Sequence, residues 1–145
     1  MYQDIFNQHS DILKALAHPK RLEIIHLLRD QSLSVSEIQQ MLDLPQANLS
    51  QHLQVLRENK IVSTTKKGKQ IFYQVTHQNY LQASDLIREV LHPKHTLSDL
   101  LPTAIDPICG MRLTPSTTAF VYDYNGITNY FCASGCLKKY QLQTK

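Results

Sequence analysis

Three residues carry chemistry that the rest of the chain lacks: Cys109, Cys132 and Cys136, the only cysteines in 145 residues. Twenty-two residues separate the first from the second, and three separate the second from the third. An odd number of thiols, two of them close together, suits metal binding or redox work in a reduced compartment better than a disulfide framework. Cys132 and Cys136, at i and i+4, are expected on one face of the first turn of a short helix continuing through Leu137-Lys138-Lys139-Tyr140. Helix-terminal amides and the nearby Lys138 and Lys139 favour the thiolate, the form that both coordinates metal and reacts. Three thiolates, with or without the Met111 thioether, suit Cu(I) or Hg(II). Structural Zn(II) normally has four protein ligands, so it needs a further one here, such as Asp106, His92 or His95. Another chemistry needs no metal, because Cys132 and Cys136 could trap persulfide or form a disulfide. An enzyme is not expected: no catalytic base, nucleotide loop or carboxylate pair is set around the thiols.

A second set of residues could read a nucleic acid. Between Pro45 and Asn59, Leu49, Leu53 and Leu56 form the i, i+4, i+7 stripe of a buried helix face. The other side carries Ala47, Ser50, Gln51 and Gln54, with Gln46 and Asn48 beside them. Amides pair with adenine edges and an alanine methyl can meet a thymine methyl; the plainer alternative is an ordinary amphipathic surface helix. Net charge is only +3, but Gln46–Thr76 holds five basic residues (Arg57, Lys60, Lys66, Lys67, Lys69) against one acid, Glu58. Of these, Arg57, Lys66, Lys67 and Lys69 are the candidate phosphate contacts.

The elements that must position these residues follow from periodicity. Ile5, Ile12, Leu13 and Leu16 predict a helix over Asp4–Ala17; a second starts at Pro19, suited to a first helical turn, and buries Leu22, Ile25 and Leu28. Ser34-Val35-Ser36-Glu37 has the spacing of a capping box and opens a short helix through Leu42. Asp43-Leu44-Pro45 is then the turn of a helix-turn-helix. Two β-rich runs, Ile61–Thr65 and Gln70–Val75, flank Lys66-Lys67-Gly68-Lys69 and predict a hairpin with a basic tip. Lysines also keep a hairpin edge soluble, but behind a helix-turn-helix they are placed to hold phosphates. The apolar Asn79–Leu91 is a further helix that needs a partner. Past a linker with a helical turn at 97–101, Phe120–Tyr124 and Thr128–Phe131 flank an Asn125-Gly126 hairpin turn. That segment of about forty residues is too small for much core without a staple.

Leu13-Lys14-Ala15-Leu16-Ala17-His18-Pro19-Lys20-Arg21-Leu22, Leu49–Arg57 and the hairpin wing resemble the ArsR family of dimeric winged-helix repressors, over about residues 4–92. The resemblance implies a homodimer built on the first and last helices, a pseudo-palindromic double-stranded operator, and release of DNA by an inducer. Where many members carry a Cys-x-Cys metalloid site, this chain has Ser34 and Ser36, which are not soft ligands. Asp85 matches the start of the family's second, zinc site, but the next expected histidine is Ile87, so that site is not carried over. Asp106-Pro107-Ile108-Cys109-Gly110-Met111 and Tyr130-Phe131-Cys132 with Cys136 resemble a YHS or TRASH metal-binding finger. That likeness implies a treble-clef-like fold and soft metals, copper most typically.

The expected fold is therefore mainly α with a β-hairpin wing, a winged helix-turn-helix, plus a small α+β treble-clef-like finger. Residues 1–92 form the DNA-binding and dimerisation domain, 93–105 a linker, with His92-Pro93-Lys94-His95 across the boundary between them, and 106–145 the metal-binding domain. The expected function is a repressor released from operator DNA when a soft metal ion acts as effector at Cys109, Cys132 and Cys136. A thiol- or persulfide-responsive repressor, and a constitutive DNA binder with a structural zinc or metal-carrier finger, are the alternatives. No run of about 18 apolar residues suggests a membrane span, and no basic-then-apolar start suggests a signal peptide, so the cytosol is the expected location.

Overall fold

The computed structural model describes residues 2–91 and 102–145. His92, His95, most of the expected linker and its helical turn lie outside the described residues. By its contacts the chain divides into two units, Met1–Gln39 with Leu44–Ala83, and Gln40–Asp43 with Ser84–Lys145.

In the first unit, α1 (Tyr2–Leu16), α2 (Pro19–Leu27) and α4 (Gln46–Glu58) pack on one another. His18 caps α2, its ring Nδ1 accepting the Lys20 amide at 3.1 Å, and Pro19 takes the first helical position. The core is aliphatic: Ile24, Ile25, Ile38, Leu49, Leu56, Ile61 and Leu81 are all fully buried. The Ser34–Glu37 capping box forms as the spacing predicts, with the Ser34 amide donating to the Glu37 carboxylate at 2.7 Å and the Glu37 amide to Ser34 Oγ at 3.3 Å. It opens α3 (Val35–Leu42).

Strands β2 (Val62–Lys67) and β3 (Gln70–Val75) form the wing, in register from Val62 opposite Val75 to Lys67 opposite Gln70. The turn is shorter than the lysine run suggests, since Lys66 and Lys67 lie within β2 and only Gly68 and Lys69 make the bend. Gly68 sits at φ +63°, where a Cβ is disfavoured. A two-residue strand, β1 (Leu33–Ser34), pairs with the far edge of β3. Helix α5 spans Asn79–Leu91, the predicted range.

In the second unit, β4 (Ala104–Ile105) pairs with β5 (Arg112–Leu113), so a strand begins inside the stretch expected to be linker. A 3-10 turn at Pro115–Thr117 leads to the hairpin of β6 (Phe120–Tyr124) and β7 (Ile127–Phe131), closed by Asn125 and Gly126, both at positive φ. Helix α6 (Ser134–Gln143) follows. Phe131 is fully buried, its ring centroid 5.2 Å from that of Tyr140. The same unit includes the end of α3: Ser134 Oγ donates to the Leu42 carbonyl at 3.3 Å, and Lys138 Nζ pairs with Asp43 at 2.7 Å.

Candidate functional site

The three thiols meet at one point. Cys109 follows β4 in a tight loop in which the Asp106 amide donates to the Met111 carbonyl at 2.9 Å and the Gly110 amide to the Asp106 carbonyl at 2.8 Å. Gly110 takes φ +76°, which closes the loop without a Cβ penalty. Cys132 arrives from the end of β7, and Cys136 from the first turn of α6. Cys132 therefore does not lie on the helix as its i, i+4 spacing predicts: the chain stays extended through Ala133, at φ −157° and ψ 166°, and α6 starts at Ser134. The spacing still brings the sulfurs together, with Cys132 Sγ 3.5 Å from both Cys109 Sγ and Cys136 Sγ.

Exposure falls along the trio, from exposed Cys109 through half-buried Cys132 to buried Cys136. Protons are shared unequally. Hydrogen bonding from Cys132, and then from Cys136, holds the Cys109 thiol well below its ordinary value. Cys132 is pushed up by its bond to Cys109, with Cys136 and burial adding to the effect. Cys136 is also raised, chiefly by its bond to Cys109. A thiol whose charged form is favoured by neighbouring thiols is the one suited to attack or metal capture, and Cys109 is also the exposed sulfur.

Asp106 is 1% exposed, and its ligand atom lies with the three sulfurs in a cluster whose members are all within 4.8 Å of one another. Such a donor set fits a soft ion. Sequence reasoning offered Asp106 only as a ligand; its hydrogen bonds to backbone amides could not be read from spacing. Met111 enters the site through its main chain, accepting the Asp106 amide.

On α4, Leu49, Leu53 and Leu56 are buried, while Gln46, Ala47, Asn48, Ser50, Gln51, Gln54 and Arg57 are exposed. Lys66, Lys67 and Lys69 are exposed on the wing. Gln54 Nε2 donates to Glu58 at 3.0 Å, so that amide is held along the helix. His52 is half-buried, its ring 4.4 Å from that of His18.

Comparison with known proteins agrees with this architecture. Residues 18–64 match the family described as "Bacterial regulatory protein, arsR family". The "Transcriptional activator HlyU" of Vibrio cholerae is 38% identical over 84 residues, covering 50% of this chain and 78% of the relative. The chain belongs to the ArsR family. The "Biofilm growth-associated repressor" of Xylella fastidiosa is 42% identical over 76 residues, covering 52% of this chain and 67% of the relative. Reduced HlyU from Vibrio cholerae superposes with a TM-score of 0.55 at 32% identity, over 64% of this chain and 97% of that one. These relatives identify this ArsR-family chain as a DNA-binding transcriptional regulator and not an enzyme. Residues 104–143 match the YHS domain, so the ArsR-type reader is joined to a second module that holds all three cysteines. Among the described residues no helix is long and apolar enough to cross a membrane.

Proposed function

We propose that this protein is a repressor that binds operator DNA as a homodimer and lets go when Cys109, Cys132 and Cys136 take up a soft metal ion, Cu(I) foremost. The observation that carries the reading is the convergence of three sulfurs, with 3.5 Å between Cys132 and each of its neighbours, inside the module that matches the YHS domain. Gln46, Ala47, Asn48, Ser50, Gln51 and Gln54 are the base-reading or base-flanking groups, supported by their exposure opposite a buried leucine stripe. Arg57, Lys66, Lys67 and Lys69 hold phosphates and supply affinity without sequence information. Two exposed apolar faces support dimerisation: Tyr2, Ile5 and Phe6 on α1, and Leu86, Ile87, Val90 and Leu91 on α5.

A second reading rests on the same sulfurs. The exposed Cys109, held toward its thiolate, lies in contact with Cys132, which suits oxidation by a persulfide or disulfide. One test separates the two. Operator binding is measured anaerobically with Cu(I), Zn(II) or a persulfide added separately, for the wild type and for Cys109→Ser, Cys132→Ser and Cys136→Ser. Under the metal reading Cu(I) weakens operator binding, by at least tenfold for about 1.4 kcal/mol of coupling, and each serine variant abolishes the response. A response to persulfide alone moves the assignment to redox sensing. Operator affinity that ignores every addition removes both and leaves a constitutive DNA binder.

A further inference from the structure

We infer that Asp106 is a positioning residue of the thiol site and not a fourth ligand, so that the site selects ions satisfied by three thiolates. The inference rests on the reading of Cys109, Cys132 and Cys136 as the metal-binding set. The carboxylate is almost wholly buried and accepts three backbone amides from the segments that carry the sulfurs. Oδ1 accepts the Ile108 amide at 2.8 Å and the Cys109 amide at 3.3 Å, which uses both of its lone pairs. Oδ2 accepts the Cys132 amide at 2.7 Å. One side chain thus ties the main chain at Cys109 to the main chain at Cys132, residues from separate loops whose sulfurs must meet.

Electrostatics and ligand softness favour the same role. Three amide dipoles stabilise the buried anion where it is. A monovalent ion held by three thiolates already leaves a negative set, so a further anionic ligand on the ion is not called for by charge. A hard oxygen donor also gains little on Cu(I). Zn(II), which normally takes four protein ligands, finds only three on offer and must add water. Asp106 acts as an outer partner that orients ligands, a position whose loss typically lowers metal affinity by roughly 10- to 100-fold.

The test uses the full chain loaded anaerobically with Cu(I), comparing the wild type with Asp106→Asn. The variant keeps the side chain's size but turns one acceptor into a donor facing a backbone amide. The expected result is a sulfur-only first shell by X-ray absorption in both proteins, with affinity in the variant lowered by roughly 10- to 100-fold against a competing chelator. An oxygen in the wild-type shell overturns the inference, and so does unchanged affinity in the variant. If the variant does not fold, the wild-type spectrum decides alone. Failure of the wild type to bind Cu(I), or equal binding by the triple cysteine-to-serine protein, overturns the sulfur site itself; an oxygen ligand overturns only the role given to Asp106.

Discussion

His52 sits where the reading helix meets the start of α2, and its surroundings disfavour a charge. Burial lowers its pKa first, followed by the charges of His18, Arg21 and Lys20. Because the unfolded chain binds this proton more readily than the folded one, stability falls as pH drops through the ordinary histidine range and is complete above it. Thermal unfolding should therefore show a lower midpoint at pH 5 than at pH 7.5, with a smaller difference in His52→Gln; equal slopes for the two proteins count against the assignment. At this scale the sequence showed which residue types matter and less of what they do. The candidate ligands Cys109, Cys132 and Cys136 could be picked out by type and spacing. The bonds of Asp106 could not, because its donors are backbone groups shared by every residue type, and the one at Cys132 lies 26 positions away.

Elements with strong periodicity were legible almost to the residue. The apolar pattern of Asn79–Leu91 and the β-branched runs around Gly68 became α5 and the wing. Strand β1 was not, since two residues carry no period, and Leu33–Ser34 is a strand only because β3 offers an edge. Helix α6 was placed too early for a related reason: two cysteines at helical spacing fit a helix equally well when the first belongs to the extended lead-in. Gly135 shows how closely that helix is seated. A Cβ there would overlap the Met41 carbonyl oxygen and lie 3.0 Å from the Asp43 amide nitrogen, both backbone atoms that cannot swing aside. Gly135→Ala gains up to about 1 kcal/mol of helix propensity, against an overpacking cost of about 1–3 kcal/mol. A net loss of stability in denaturant titration is expected; a stabilised variant contradicts this packing.

For the whole molecule the dominant question is what covers its exposed apolar faces. Phe6 is 64% exposed and Val90 82%, on the two helices for which the ArsR resemblance implies subunit contact. Replacing either with Asp removes nothing from the protomer's core, so the protomer should stay folded. Light scattering should show a shift from dimer to monomer, and operator affinity should fall by a factor of ten or more, about 1.4 kcal/mol, as one of two half-site contacts is lost. A variant that remains dimeric moves the interface elsewhere. The make-up of the second unit has another consequence. Its members include Gln40–Asp43, four residues from the middle of the reader's own helix-turn-helix. The Leu42 carbonyl and the Asp43 carboxylate take Ser134 and Lys138 as partners within this unit. Substitutions at Leu42, Asp43, Ser134, Gly135 and Lys138 are therefore expected to be mutually constrained within this unit, although the first two lie more than ninety residues from the others in the chain.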